Sequence, residues 1–374
     1  LRYKAARDAL KLMGYKTTNE YLGACAKAVL DNTSLMPHLN SGCLTKDEIT
    51  SLKPLSGSMG LMVESLSSKL TEKGQPHHGS PDKDPEFRIK TLIEAGKQKV
   101  PFTTGILIGI GETRLERLES LFEIAELHKK YDHIQEVIVQ NFKPKSNTLM
   151  AHSPEPSFDE LLWTIAMARL ILPADISLQV PPNLNLKYLD RLFTSGINDL
   201  GGISPVTKDY VNPEAPWPEI QNLAKIAFKS NQSLKSRATL YPKYFSALSE
   251  FSSREIASKL LDKVDAQFLI RSDNWQSGIS TEIPQINFGI FCSDIKQQIQ
   301  QVEINPSIES IQRLLESSDG DFQYIIDRAN EIKVNTHGSD VSFVVNRNIN
   351  YTNICSFSCN FCAFSKGRGH DDLR

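Results

Sequence analysis

Phe102-Thr-Thr-Gly-Ile-Leu-Ile-Gly109 is the stretch that most narrows what this chain can fold into. An uncharged run with so little alternation cannot leave one face in water, so it reads as a strand covered on both sides. Just beyond it, Thr113-Arg-Leu-Glu116 has the spacing of a capping box, in which hydroxyl and carboxylate satisfy orphan backbone donors at a helix start. Leu115, Leu118, Phe122, Ile124 and Leu127 then mark a helix reaching about Tyr131, and Ile134-Gln-Glu-Val-Ile-Val139 is the next strand. Covered strands alternating with helices make a parallel sheet wrapped by helices.

The same grammar extends in both directions. Upstream, Arg2 to Leu30 is helical with a break at Gly14, a short apolar run follows at Leu35-Met36-Pro37, and Thr45-Lys-Asp-Glu48 is another capping box. Ser58-Met-Gly-Leu-Met-Val63 is a strand-length run ending at Glu64, and Asp84-Pro85 opens a helix that ends at Gly96. Downstream of Met150 the alternation loosens. A helix near Leu161 to Leu172 leads to a short strand, Ile176-Ser-Leu-Gln-Val180. Gly196 to Pro205 reads as a glycine-rich turn without the lysine of a phosphate loop, and Pro213 to Pro218 as an extended closing segment. From 229 to 338 the composition shifts toward Ser, Gln and Lys, with helices at Ser252–Val264, Ser307–Glu316 and Phe322–Ile332, and this region reads as a linker with a helical prelude. Val341-Ser-Phe-Val-Val345 alternates as a strand.

In a parallel α/β fold, ligand groups sit at the carboxyl ends of the strands. That rule puts Glu64, the stretch from Gly109 through Gly111 to Glu112, and more weakly Gln140 and Asn141 on one rim. Gly109 and Gly111 would let backbone approach a flat ligand. They would equally serve to shape a tight turn, with Glu112 favouring the dipole of the following helix. His38, His77 and His78 sit in loop-like surroundings and receive no role.

The last chemical feature is Cys355-Ser-Phe-Ser-Cys359-Asn-Phe-Cys362. Three thiolates on one loop can hold an iron-sulfur cluster with one iron open to an amine and carboxylate chelate, the chemistry of radical S-adenosylmethionine enzymes. The alternative is a structural zinc site completed by His370. Zinc ligands more often come as paired short-spaced units, which favours the cluster. Phe361 would shield the cluster or pack on an adenine, or simply fill space.

Composition closes off other classes. With 40% hydrophobic and 23% charged residues and a net charge of −2, the 374-residue chain gives no reason to expect nucleic acid or an anionic membrane as partner. No apolar run reaches the roughly 20 residues of a membrane span, and six cysteines in a chain this long do not form a disulfide framework. Cys25, Cys43 and Cys292 read as buried thiols. A soluble, intracellular and by default cytoplasmic protein is expected. The start at Leu1 without methionine is taken as that of a fragment, so organelle targeting stays open.

Taken together, these residues resemble a known family, the bifunctional deazaflavin (FO) synthases, which fuse two radical S-adenosylmethionine modules. The later part of the first module is matched by Met36-Pro-His-Leu-Asn40, Ser58 to Ser65, Pro101 to Thr113, Ile134 to Phe142, Gln179-Val-Pro-Pro-Asn183 and Asn198 to Pro205. The start of the second is matched by Asn346 to Cys355 and the two cysteines beyond. The resemblance implies an α/β fold: an incomplete radical-SAM-type partial (β/α)6 barrel over 1–228, the linker over 229–338, and the first strand and cluster loop of a second barrel over 339–374. Four of the first barrel's six strands would be visible, and its own cysteine triad is absent from this sequence.

The implied chemistry is reductive cleavage of S-adenosylmethionine at a 4Fe-4S cluster. One module would join the hydroxybenzyl part of tyrosine to 5-amino-6-(D-ribitylamino)uracil, and the other would close the deazaflavin ring with loss of ammonia, each drawing on a reducing electron donor. Cys355, Cys359 and Cys362 would be cluster ligands. Glu64, Gly109, Gly111 and Glu112 would help hold S-adenosylmethionine. The chain alone is expected to make no deazaflavin. Rival readings are a radical enzyme of menaquinone biosynthesis, a zinc-bound scaffold without activity, and a permuted enzyme in which the terminal triad completes the first barrel.

Overall fold

The computed structural model describes residues 4–204, 206–271, 293–312, 314, 319–346, 352–355, 362 and 366. Among them, eight strands form one sheet: β1 (His38–Leu39), β2 (Ser58–Gly60), β3 (Phe102–Ile108), β4 (Ile134–Asn141), β5 (Ser177–Gln179), β6 (Asp199–Ile203), β7 (Ser233–Ser236) and β8 (Asp340–Val345). The spatial order is β1-β2-β3-β4-β5-β6-β8-β7, and every pairing is parallel. All carboxyl ends therefore point to one rim. The sheet also curls. Thr239, just past the edge strand β7, uses its carbonyl to accept from Ser58 Oγ on β2 at 3.0 Å and from Gln135 Nε2 on β4 at 3.0 Å.

Side-chain alternation separates a helix-facing side from a lumen. Val137, Val139, Leu178, Leu200, Val341 and Phe343 are buried in the main apolar core. Ile138, Gln140, Ser342 and Val344, which alternate with them, are only half-buried. Strand period dictates this: successive side chains face opposite sides, and the side away from the helices borders an interior that water reaches.

Local signals account for the helix starts. Thr45 and Thr113 form complete capping boxes with Glu48 and Glu116, and Asp84 caps the helix Pro85–Lys97 by accepting from Glu86 N. The helix Phe158–Ile171 is mostly apolar and every residue from Leu161 to Ile171 is buried, so it is covered on every side there. One cover is the helix Asp319–His337, which packs against it. Each buried leucine or isoleucine there contributes about 1.5–3 kcal/mol relative to exposure.

Three expectations change. Asp-Leu-Gly-Gly-Ile at 199–203, read as part of a turn, is strand β6, because pairing with β5 and β8 overrides the weak strand preference of glycine. Within the region read as a linker, Ile295, Ile299, Val302, Ile311, Ile325 and Ala329 belong to the same core as the strands, and the unforeseen helices Ile220–Lys229 and Ser293–Ile304 also lie against it. Finally, β8, expected to open a separate second barrel, lies between β6 and β7 in the one sheet. The sheet thus crosses the expected boundary at 338, and six strands, β1 to β6, precede position 205, two more than the four first counted.

A buried charge network fastens the lower part of the lumen. Asp199 of β6 accepts from Arg237 Nε at 2.6 Å, Arg237 Nη2 at 3.0 Å, Tyr241 Oη at 2.8 Å and Gly201 N at 2.6 Å, and Ser342 Oγ of β8 also bonds to it. Arg237 Nη2 reaches Glu136 on β4 at 3.4 Å, and Thr103 Oγ1 donates to Glu136 at 2.9 Å. Burial pushes the Glu136 carboxyl up to about 7; Arg237 opposes this and the Asp199 charge adds to it. Native Glu136 thus keeps a proton that the unfolded chain has released, so its contribution to stability falls as pH rises from about 4.5 to about 7. Glu136→Gln is expected to remove that slope. Urea denaturation should show the variant gaining on wild type across this window, by at most about 1.4 kcal/mol per pH unit.

Candidate functional site

Glu64 leaves the end of β2 with a left-handed φ of 65°, a conformation that costs a non-glycine residue about 1 kcal/mol or more. Backbone bonds to β3 hold it there: Glu64 N donates to Gly105 O at 3.0 Å, and Leu107 N donates to Glu64 O at 2.9 Å. The buried carboxylate faces three cationic or potentially cationic groups. Lys83 Nζ bonds to Oε1, Arg88 Nη1 lies 3.5 Å from the same oxygen, and His77 Nε2 lies 3.1 Å from Oε2. Burial alone would raise its pKa, but Lys83, Arg88 and His77 outweigh burial and hold it well below the usual carboxylate range. Glu64 is therefore an anion at neutral pH, fixed at the rim.

The loop after β3 is built differently from either earlier reading. Gly109 and Gly111 have φ values of 90° and 115°. A Cβ on Gly109 would lie 2.6 Å from Pro156, so the position demands glycine twice over, by backbone and by space. Glu112 turns its carboxylate back into this turn. It accepts from Gly109 N at 2.7 Å, Ile110 N at 2.9 Å and Arg117 Nε at 2.8 Å. Arg117 also bonds Glu160 at 2.6 Å, and Arg114 bonds Glu160 at 2.7 Å. Glu112 thus acts on the shape of the rim through the backbone. Glu112→Ala is expected to cost about 2–3 kcal/mol, since it strands buried donors. Amide hydrogen exchange at Gly109 and Ile110 should quicken more than elsewhere.

Three further rim loops are tied to one another. Asn185 Nδ2 donates to Asn141 Oδ1 at the end of β4 at 2.7 Å, and Lys145 Nζ donates to Asn212 at 2.8 Å and bonds Glu214. Asn183 Nδ2 and Asn212 Nδ2 reach Asp209 at 3.0 and 2.9 Å. Asn141 is thereby assigned a structural partner, while Gln140 points its side chain into the half-open lumen by strand alternation. No local pattern in the sequence marks Lys145, Asn183 or Asp209. Their partners lie in different loops, out of reach of any short motif.

The cysteine segment follows β8, whose carboxyl end shares this rim. Lys366 N donates to Asn353 O at 2.9 Å, and Ile354 pairs with Lys366. Cys355 and Cys362 are both half-buried. Cys359, Phe361, His370 and Cys292 lie outside the described residues. The spacing of the three cysteines in the sequence is one that suits a three-cysteine metal cluster. His77 belongs to the Glu64 cluster, and His78 is exposed.

Two other constellations lead elsewhere. His128, Asp132 and Asp175 bring ligand atoms within 4.8 Å of one another. Lys243 Nζ fills that group, 2.8 Å from Asp132 and in contact with Asp175, making it an ion-pair cluster. A cleft of about 350 Å³ is lined by Lys296, Glu303, Arg328 and their neighbours on the outer helices, with no residue from a strand end.

No family model matches the chain. It is 38% identical to the FO synthase of Nocardia farcinica, covering 99% of this chain and 50% of that protein. The FO synthase of Mycobacterium leprae is 37% identical, with 99% and 49% covered. The 7,8-didemethyl-8-hydroxy-5-deazariboflavin synthase of Methanopyrus kandleri is 50% identical over 243 residues, which span 65% of this chain and 72% of that protein. The chain belongs to the FO synthase family. It spans about half the length of the Nocardia and Mycobacterium FO synthases. Among solved structures it is similar to HydG, a maturase of the FeFe-hydrogenase, with a TM-score of 0.50 and 14% identity over 84% of this chain and 67% of that one. That likeness is one of fold alone, an open, curled parallel sheet wrapped by helices. No helix among the described residues is long and apolar enough to cross a membrane.

Proposed function

We propose that this chain is a working part of an FO synthase, which makes 7,8-didemethyl-8-hydroxy-5-deazariboflavin from tyrosine and 5-amino-6-(D-ribitylamino)uracil by radical S-adenosylmethionine chemistry. The observation that carries the reading is that the three-cysteine segment follows strand β8, whose carboxyl end shares the rim of Glu64 and the Gly109–Glu112 turn, in a member of this family. Cys355, Cys359 and Cys362 hold the 4Fe-4S cluster. The cluster, when bound and reduced by an electron donor, supplies the electron that cleaves S-adenosylmethionine to a 5′-deoxyadenosyl radical.

The chain's own residues do the rest by placement. Gly109 and Gly111 keep side chains off this turn, so that the nucleoside of S-adenosylmethionine would have room against its backbone, and Glu112 holds the turn's amides in place. Glu64, kept ionised by Lys83 and Arg88, offers a fixed acceptor to ligand hydroxyl or ammonium groups. Residues 1–228 belong to the first module and 339–374 begin the second. Here β8, the second module's opening strand, takes the seat beside β6. In the whole protein one module joins the hydroxybenzyl group to the uracil and the other closes the ring with loss of ammonia.

The test is anaerobic equilibrium binding to the reconstituted chain. S-adenosylmethionine should bind together with tyrosine or 5-amino-6-(D-ribitylamino)uracil. Binding of S-adenosylmethionine alone, with neither precursor retained, would point to the menaquinone-type enzyme instead, and no binding of any of the three would overturn the reading.

A further inference from the structure

His38 is the residue whose surroundings most exceed the role given it so far. Its ring lies along β2 inside the lumen. Nδ1 is 2.8 Å from Ser58 Oγ, while Nε2 sits 2.9 Å from where a Cβ on Gly60 would be. Ser58 and Gly60 occupy alternate positions of one strand, on one face, so the ring spans them and Nε2 points toward the carboxyl-terminal rim. A side chain at position 60 would drive into Nε2. Glycine there leaves the nitrogen open.

The hydrogen-bond inventory fixes the tautomer. Ser58 has one hydroxyl proton, and it goes to the Thr239 carbonyl at 3.0 Å. Toward His38, Ser58 Oγ can only accept, so Nδ1 carries the hydrogen and Nε2 carries the lone pair. The residue is exposed by surface area although the protein surrounds it closely, as expected of a side chain on a water-reached lumen. Burial and the Arg237 charge lower its pKa to about 4, so the ring is neutral at pH 7. The charged groups around it are Arg237 with its partners Asp199 and Glu136. Such an imidazole accepts a hydrogen bond well and takes the proton away poorly.

We infer that His38 Nε2 is a substrate-recognition acceptor that receives an N–H or O–H of a planar heterocycle lying in the lumen, with Ser58 and the Thr239 carbonyl as positioning groups. The inference rests on the proposed function, since it names part of that site's specificity. The two possible donors, a ring imide N–H and a phenolic O–H, call for the same acceptor.

The probe is the fluorescent product FO itself, titrated into the full chain and followed by anisotropy. 5-Deazariboflavin, which lacks the phenolic hydroxyl, runs alongside. His38→Leu removes the acceptor, His38→Gln keeps an amide oxygen near its place, and Gly60→Ala retains the histidine but displaces Nε2. Each variant's thermal unfolding is recorded, and the exposed His78→Ala is the control. FO binding should weaken at least about tenfold in His38→Leu and Gly60→Ala, equivalent to about 1.4 kcal/mol. His38→Gln should stay within about threefold and His78→Ala should not change. If 5-deazariboflavin loses the same factor, the donor is the imide; if it is insensitive to His38, the phenol. Independently, nitrogen-15 spectra should show Nδ1 protonated at pH 7 and the Nε2 resonance moving when FO is added. FO bound equally by wild type and folded His38→Leu would overturn the inference and leave the functional reading standing. A wild-type chain that binds no FO would overturn both.

Discussion

Asp199→Ala should destabilise the chain by about 3–5 kcal/mol, the largest single-residue effect outside the core. Asp199 is fully buried and receives five hydrogen bonds, two from Arg237 and one each from Tyr241, Ser342 and Gly201. Removing it leaves the Arg237 guanidinium buried with Glu136 at 3.4 Å as its remaining carboxylate. The damage should be uneven. Asp199 sits on β6, Ser342 on β8 and Arg237 just past β7, so the loss falls on the part of the sheet where β8 is seated. Hydrogen exchange should therefore open first at Val341 to Val344, well before Ile106 or Val139. Asp199→Asn preserves shape and several acceptor contacts and should cost less. Urea denaturation showing a loss below about 1 kcal/mol for Asp199→Ala would mean that the network is not formed as described.

Cys355→Ala should abolish metal-cluster binding while leaving the fold in place. Cluster assembly on three thiolates has no partial success to fall back on, because a two-thiolate loop leaves a second iron without a protein ligand. Cys355 is half-buried, so truncation there removes little packing. The expected pattern is complete loss of the iron chromophore, complete loss of cluster-dependent S-adenosylmethionine binding, and a melting temperature within a few degrees of wild type. Retention of bound iron in the variant would remove Cys355 from the ligand set.

Much of this architecture was legible from residue pattern. The uncharged Phe102–Ile108 run, the two capping boxes and the Asp84 cap correspond to β3 and to the helices that start where their hydroxyls and carboxylates predict. The rim rule also places Glu64 and the Gly109–Glu112 turn at the carboxyl ends of β2 and β3. What escaped was non-local. Asp-Leu-Gly-Gly-Ile carries the composition of a turn and becomes β6 only because neighbours pair with it on both sides. Ser233–Ser236 is short and polar, and it forms β7 by lying beside β8 more than a hundred residues on. Asp199 and Arg237 show no spacing that forecasts an ion pair. Glu112 read as a cofactor contact or as favouring the dipole of the following helix, and its carboxylate turns back to the amides before it. His38 was passed over because loop histidines are usually solvated. Its meaning depends on Ser58, Gly60 and Thr239, which only the curl of the sheet brings together.

The account turns on what the cysteine loop binds, and anaerobic reconstitution of the chain with iron and sulfide measures that directly. The prediction is a brown protein, bleached by dithionite, with about four iron and about four sulfide per chain, lost in Cys355→Ala. A colourless protein that takes up zinc tightly at one per chain and retains no iron would contradict it.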